Sequence, residues 1–389
     1  LDTGVRFDHP DLLRAGSGGR LLPGYDFISD AQVANDGDGR DADASDPGDW
    51  LTSTDKATSR FSSCDVVNSS WHGTRVAGLL GAITNNSVGI AGLDWSGWIL
   101  PVRVLGKCGG NDSDILAAML WAAGLHVNGV PDNLFPARVI NMSLGGTGTC
   151  PASYQTVISQ LTALGVLVVV SAGNEGGPVD VPANCPGVAG IAALRHIGTK
   201  VGFSSLGPEI ALSAPGGNCV NVNAGEPCLF SIHTTYNTGT TSPGNSGYTD
   251  QASINVGTSF SAPIVAGIAG LMKAVNGNLG SAQLIARLRE GSSPFPTTSS
   301  TTANAPQCHV PTGSTDLQTA ECICTTQACG AGMANAAGAL NAALRPIAAI
   351  AVSGSVSAGQ DVVLSGGGSA AACGHAISAW HWTVTNPGT

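Results

Sequence analysis

The sequence predicts an α/β fold built on a mostly parallel central sheet. Three observations carry this. Short apolar runs alternate with stretches of helical periodicity over the first 343 residues. The run 166–170 is apolar at every position, as in a strand covered on both faces. Strand, helix and strand in alternation place helices on the faces of a parallel sheet.

The elements follow in order. Residues 99–104, 139–142 and 166–170 are expected as strands. Ser113 can cap a helix running to about His126. Tyr154, Val157, Ile158, Leu161 and Leu164 mark another by their spacing. Ile264, Ile268, Leu271 and Val275 share one face of a helix that starts near Ser259, and Ser281 can cap the next. The text changes at 344–346. Residues 344–389 read as the start of a second, β-sandwich domain, with Trp380 and Trp382 alternating along a strand as core residues. About 43 residues are too few for a whole sandwich of roughly 100, so a truncated segment is expected.

Of the 389 residues 11% are charged, against roughly 25% in average proteins. The net charge is −10 and no basic cluster occurs, which argues against nucleic acid and anionic membrane as partners. No uninterrupted apolar run reaches the roughly 18 residues of a membrane span. Eleven cysteines without zinc-type spacing point to disulfides and an oxidising, extracellular compartment. An odd count leaves at least one without a partner.

Four stretches place a reactive residue where an apolar segment meets a turn or helix: "LDTGV" (Asp2), "SSWHGTRVAGLLGAI" (His72), "VLVVVSAGNEGG" (Asn174) and "NVGTSFSAP" (Ser259). A serine hydroxyl becomes a competent nucleophile when an imidazole takes its proton and a carboxylate fixes the imidazole tautomer. A side-chain amide can stabilise the oxyanion of acyl transfer. Alone, Ser259 reads equally as a helix N-cap. The order Asp, His, Ser and the absence of G-x-S-x-G count against an esterase or lipase of the α/β-hydrolase type. A catalytically silent relative acting as a binding module is the other rival.

These four motifs, in this order, resemble the signatures of the subtilisin family of serine endopeptidases over residues 1–343. The cysteine placement and "CGAGMANA" resemble secreted bacterial members with a carboxyl-terminal β-sandwich of the polycystic-kidney-disease or immunoglobulin-like type. The resemblance implies a three-layer subtilisin-like fold and a secreted, monomeric endopeptidase acting on proteins and peptides. Asp2 would be the orienting carboxylate, His72 the general base and Ser259 the nucleophile. Asn174 and the Ser259 N–H would form the oxyanion hole. Ser143, Leu144, Gly145 and Gly146 would pair with substrate backbone, and Ser171, Ala172 and Gly173 would form the opposite wall. Arg75, Phe260 and Ile264 depart from the family's usual His, Met and His. Members carry tens of residues before the Asp, so a preceding segment of that strand, and a pro-segment as partner, are expected.

Structural Ca²⁺ is expected, with no organic cofactor. "HPDL" and "TNNSVGIAG" resemble the family's strong calcium site, implying Asp11, Asn86 and the carbonyls of Val88 and Ile90. Separately, the dense acidic loop "DGDGRDADASDPGDW" offers Asp36, Asp38, Asp41 and Asp43, with Asp46 and Asp49 beyond; such carboxylates repel unless a cation or water relieves them. Cys64–Cys108 is expected to tie the loop before the His72 helix to the loop after strand 99–104. Cys150–Cys185 would join the two walls of the cleft, and Cys219–Cys228 would close a small loop. Cys308, Cys322, Cys324 and Cys329 are expected to pair among themselves in an order left open. In the first specificity pocket, Glu175 and Asp180 either face water, leaving an apolar pocket, or face inward and select a basic side chain.

Overall fold

The structure, a computed structural model, describes residues 1–218, 230–249, 255–352, 359 and 361–383. Its elements are β1 (Tyr25–Asp26), α1 (Ala31–Ala34), α2 (Ser53–Lys56), α3 (His72–Gly81), β2 (Val102–Arg103), α4 (Asp112–Ala122), β3 (Val139–Met142), α5 (Ala152–Ala163), β4 (Leu167–Ser171), β5 (Ala189–Leu194), β6 (Ile210–Pro215), β7 (Thr234–Asn237), β8 (Ser246–Thr249), α6 (Thr258–Val275), α7 (Ser281–Glu290), α8 (Ala336–Ala343), β9 (Ala351–Val352) and β10 (Leu364–Ser365).

The central sheet is parallel, in the order β3-β4-β5-β6. Every residue of β4 is buried, because the strand serves two cores. Val168 and Val170 pack with Met119, Ile158 and Leu161 of α4 and α5. Leu167 and Val169 pack on the other face with Val265, Ile268 and Leu284 of α6 and α7. The period of two along an all-apolar strand therefore builds a three-layer arrangement. β1 and β2 form a short parallel pair, and Asp2 joins it by a bridge to Arg103. The Leu1 nitrogen donates to Asn141 O at 2.9 Å and Asp2 N–H to Val102 O at 3.1 Å, so these two residues stand between β2 and β3. A cavity of 510 Å³ opens beside them, floored by Val76, Leu80, Val102, Val139 and Ala266.

Several boundaries differ from expectation. α4 ends at Ala122 rather than near His126, because Gly124 turns left-handed (φ 88°) and Leu125 N–H bonds back to Leu120 O. Its N-cap is Asn111, not Ser113. Ser281 is the first residue of α7, and Gly280 precedes it as cap. α6 is 18 residues long with a mean hydropathy of 1.4, the length and composition of a membrane span, although 61% of it is buried inside the protein. Thr258, Ser259, Ser261 and Lys273 interrupt its apolar run and hid this in the sequence.

Cys64–Cys108 and Cys150–Cys185 are disulfides, with Cα–Cα separations of 5.8 and 5.1 Å. Cys308 pairs with Cys322, and Cys324 with Cys329. The sulfurs of Cys308, Cys324 and Cys329 crowd together, yet these bonds consume all three as metal ligands. Cys373 is exposed and free. Cys219 and Cys228 lie outside the described residues. In the tail, β9 and β10 pair antiparallel over two residues each. Trp380 and Trp382 are exposed and outside any strand, contrary to the core role expected of them. Trp380 lies on Gly366 and donates its indole N–H to Gly366 O at 2.9 Å.

Candidate active site

α3 begins at His72, preceded by Trp71 in a left-handed conformation (φ 53°) that supplies no side-chain cap. The second helical residue must be glycine: a Cβ on Gly73 would stand 2.1 Å from Gly4 O and 3.2 Å from Asp2 Oδ1. That close approach brings His72 Nδ1 within 2.8 Å of Asp2 Oδ1. The same oxygen accepts the Thr3 N–H at 2.8 Å, which fixes the carboxylate. An ionised carboxylate only accepts, so Nδ1 carries the proton in this pair and Nε2 keeps its lone pair.

Ser259 is the second residue of α6, with Gly257 as N-cap, so the capping role is excluded. Pro263, four residues on, has no N–H for the Ser259 carbonyl. Ser143 Oγ takes that place, donating to Ser259 O at 2.7 Å. In return Ser259 Oγ donates to Ser143 O at 3.3 Å. Phe260, the next residue, sets its ring 5.9 Å from the His72 ring.

Asn174 follows β4. Its Oδ1 accepts the Thr258 N–H at 2.9 Å and the Thr258 hydroxyl at 3.1 Å. A backbone N–H can only donate, so this contact assigns the amide orientation and frees Nδ2. Asn174 and the start of α6 are close neighbours: a Cβ built on Gly257 would lie 3.6 Å from Asn174 Oδ1 and 3.7 Å from both Asn174 Nδ2 and Ser259 N.

A cleft of 590 Å³ is lined by His72, Ser70, Asp49 and Thr3 on one side and by Ser143, Leu144, Gly145 and Gly146 on the other. Gly146 exchanges both backbone bonds with Val181 (2.9 and 2.8 Å), so its own edge is already paired. Ser171 and Ala172 are buried, and Ala172 spends its N–H on Ile191 and its carbonyl on Asp180. Asp180 lies between the two walls. A Cβ on Gly173 would meet Asp180 Oδ2 at 2.5 Å and Glu175 Oε2 at 2.9 Å, and one on Gly145 would lie 3.5 Å from Asp180 Cβ. Burial, then the charge of Glu175, pushes the Asp180 carboxyl up to about 7. Glu175 is exposed and accepts the Asn174 N–H at 2.8 Å. Arg75, which replaces the family's His, is buried; it donates to Asn255 Oδ1 at 3.2 Å and lies over the Phe260 ring.

The calcium expectations do not fit the side chains. Asp11 is buried and faces donors: Asn86 Nδ2 at 2.6 Å, the Ile90 N–H at 3.1 Å and the Tyr248 hydroxyl at 2.9 Å. Asn86 Oδ1 accepts the Val88 N–H at 3.1 Å. A cation needs oxygen lone pairs, whereas hydrogens point at this carboxylate. In the acidic loop, Asp36 pairs with Arg103, Asp41 accepts from its own loop's Asp43 N–H, and Asp43 bonds Ser45 and Arg14. Asp38 is exposed. Among the described residues no three carboxylates converge on one point. Local turn bonds and arginines relieve the repulsion that suggested a metal.

Sequence reasoning missed Thr258 and the pairing of Ser143 with Ser259. Pro263 was the signal available for the second, since a proline four residues after Ser259 orphans its carbonyl. Sequence reasoning also offered Asp46 and Asp49 only a cation or water as partners, whereas they accept from Thr3 and Ser70.

The profile of the Subtilase family, peptidase S8, matches residues 1–314. An extracellular protease of Xanthomonas campestris pv. campestris is 44% identical over 277 residues, 71% of this chain and 43% of that protein. An extracellular basic protease of Dichelobacter nodosus is 42% identical over 282 residues, 72% of this chain and 43% of that protein. The chain thus spans less than half the length of these curated relatives. Among solved structures, a protease from Pseudoalteromonas arctica superposes with a TM-score of 0.73 at 38% identity, covering 88% of each chain.

Proposed function

The chain belongs to the subtilase family, and on that premise we propose that it is a secreted serine endopeptidase. Ser259 attacks the scissile carbonyl and His72 Nε2 takes its proton, then returns it to the leaving amine. Asp2 holds the imidazole. Asn174 Nδ2 and the Ser259 N–H receive the oxyanion, and water hydrolyses the acyl-enzyme. The observation that carries this reading is the Asp2–His72 contact of 2.8 Å beside the start of α6. Ser259 Oγ turns from Ser143 O to His72 as substrate arrives.

Two extracellular relatives and four disulfides favour secretion. No step requires a metal. Residues 344–389 are read as the beginning of a β-sandwich module.

The first specificity pocket selects Lys or Arg through Asp180, with Glu175 behind it. A buried carboxylate that meets no cation among the described residues gains most from a cationic substrate. The test is kcat/KM on matched peptides with Phe, Leu, Lys or Arg before the cleaved bond, in the parent, Asp180→Asn and Glu175→Gln. A lead for the basic peptides that Asp180→Asn abolishes supports the assignment. A Phe lead with an unchanged Lys-to-Phe ratio rejects it. Peptidase activity lost in Ser259→Ala and His72→Ala, with the double variant little worse than either, supports the triad; multiplying losses reject it.

A further inference from the structure

We propose that Asp46 and Asp49 are positioning residues for His72, each acting through one hydroxyl on the first N–H groups of α3. The proposal rests on the peptidase reading. An α-helix leaves its first N–H groups without intrahelical partners, and Trp71 provides no cap. The His72 N–H donates instead to Ser70 Oγ at 3.2 Å, and the Gly73 N–H to Thr3 Oγ1 at 3.0 Å. A hydroxyl accepts reliably only if its own proton is committed elsewhere. Ser70 donates that proton to Asp49 Oδ2 at 2.6 Å while its N–H bonds Oδ1, also at 2.6 Å. Thr3 donates to Asp46 Oδ2 at 2.7 Å.

The two carboxylates sit three residues apart in one tight loop, so a single "DPGD" segment grips both relays. The loop is itself fixed. Gly48 N–H bonds Asp46 Oδ1 at 2.9 Å, and Gly48 (φ 105°) leaves no room for a Cβ, which would meet Ser69 Oγ at 2.4 Å. Asp46 N–H bonds Val5 O at 3.1 Å, which ties the loop to the segment carrying Asp2. Asp2 and His72, whose side chains must meet, therefore share one scaffold. Thr3 is the common point: its N–H holds Asp2 and its hydroxyl holds α3. Freed of its carboxylate, either hydroxyl can rotate to donate, and the helix start loses its acceptor. The imidazole then shifts against Asp2 and Ser259, and small misplacements of a catalytic base are expensive.

The experiment compares kcat and KM per serine labelled by a fluorophosphonate probe in the parent, Ser70→Ala, Ser70→Thr, Asp49→Asn and the Asp49→Asn/Ser70→Ala double variant. Labelling carried to its end point counts folded sites whatever its rate, so a loss of folded protein alone does not register. The expected result is a kcat about tenfold to a hundredfold lower in Ser70→Ala and Asp49→Asn, with KM within about twofold. Ser70→Thr should keep most of the kcat, and the double variant should match Ser70→Ala. A parent kcat per site in Ser70→Ala, or losses that multiply in the double variant, overturns the proposal. If Asp49→Asn fails to fold, the contrast between Ser70→Ala and Ser70→Thr decides by itself. A parent chain that the probe does not label would sink the peptidase reading instead, so the two failures are distinguishable.

Discussion

Ser143 and Ser259 are joined twice, hydroxyl to carbonyl in each direction, at 2.7 and 3.3 Å. The shorter bond exists because Pro263 cannot serve the Ser259 carbonyl. Ser143→Ala should leave that carbonyl unpaired at a cost of about 1–3 kcal/mol in stability. Adding Pro263→Ala restores an N–H four residues on and should recover part of the loss. Denaturant unfolding of the two variants checks this. An equal or larger loss in the double variant would contradict it.

The acidic pocket should be pH-dependent. The Asp180 carboxyl is pushed up to about 7. Below that value it is protonated and shares its environment with Glu175 at little net cost. As pH rises through 7 it gains a charge, and a Lys or Arg side chain is then bound more tightly. The ratio of kcat/KM for a Lys over a Phe peptide should therefore rise by about tenfold between pH 6 and 8, the size of a 1.4 kcal/mol change. In Asp180→Asn the ratio should stay flat.

Full burial pushes the Asp46 carboxyl from 3.8 up to about 7. The folded protein then holds this proton, placed on Oδ1 so that Oδ2 still accepts the Thr3 hydroxyl, more tightly than the unfolded chain does. Between about pH 4 and pH 7 this group's contribution to stability is present at the acid end and fades as pH rises. Thermal unfolding in Asp46→Asn should show a smaller fall over that window than the parent shows. An identical slope would contradict the assignment.

Arg103 is almost wholly buried, and its guanidinium meets Asp26, Asp36, Ala34 O and Thr3 O. Arg103→Met should cost about 3–5 kcal/mol, because it strands Asp26 as a buried acid. Asp26→Asn in the same background should restore part of the loss in chemical denaturation.

Much of this was readable in sequence, for stated reasons. An apolar run at every position of 166–170 means two cores, and both are there. The histidine and serine motifs place their residues at helix starts, because glycine and small neighbours permit close approach. Cys64–Cys108 and Cys150–Cys185 were expected alongside the family resemblance, and both are there. What failed was orientation. A crowd of aspartates says nothing of where each points. Asp36 turns to Arg103, and Asp49 to Ser70. Asp11 is closed off by Tyr248, which arrives from 237 residues away and carries no local sign of that role. The starts of α4 and α7 moved because no capping side chain sets them: Asn111 and Gly280 make no side-chain cap bond, and at α7 Gln283 Oε1 accepts the Gly280 N–H instead.

The central claim is that Ser259 is an activated nucleophile. The direct measurement is mass spectrometry of the chain after reaction with a fluorophosphonate at neutral pH. The account predicts one adduct per chain, on the peptide containing Ser259, with labelling slowed at least about a hundredfold in His72→Ala and absent in Ser259→Ala. A folded chain that takes no label, or takes it on another serine at the same rate in both variants, would contradict it.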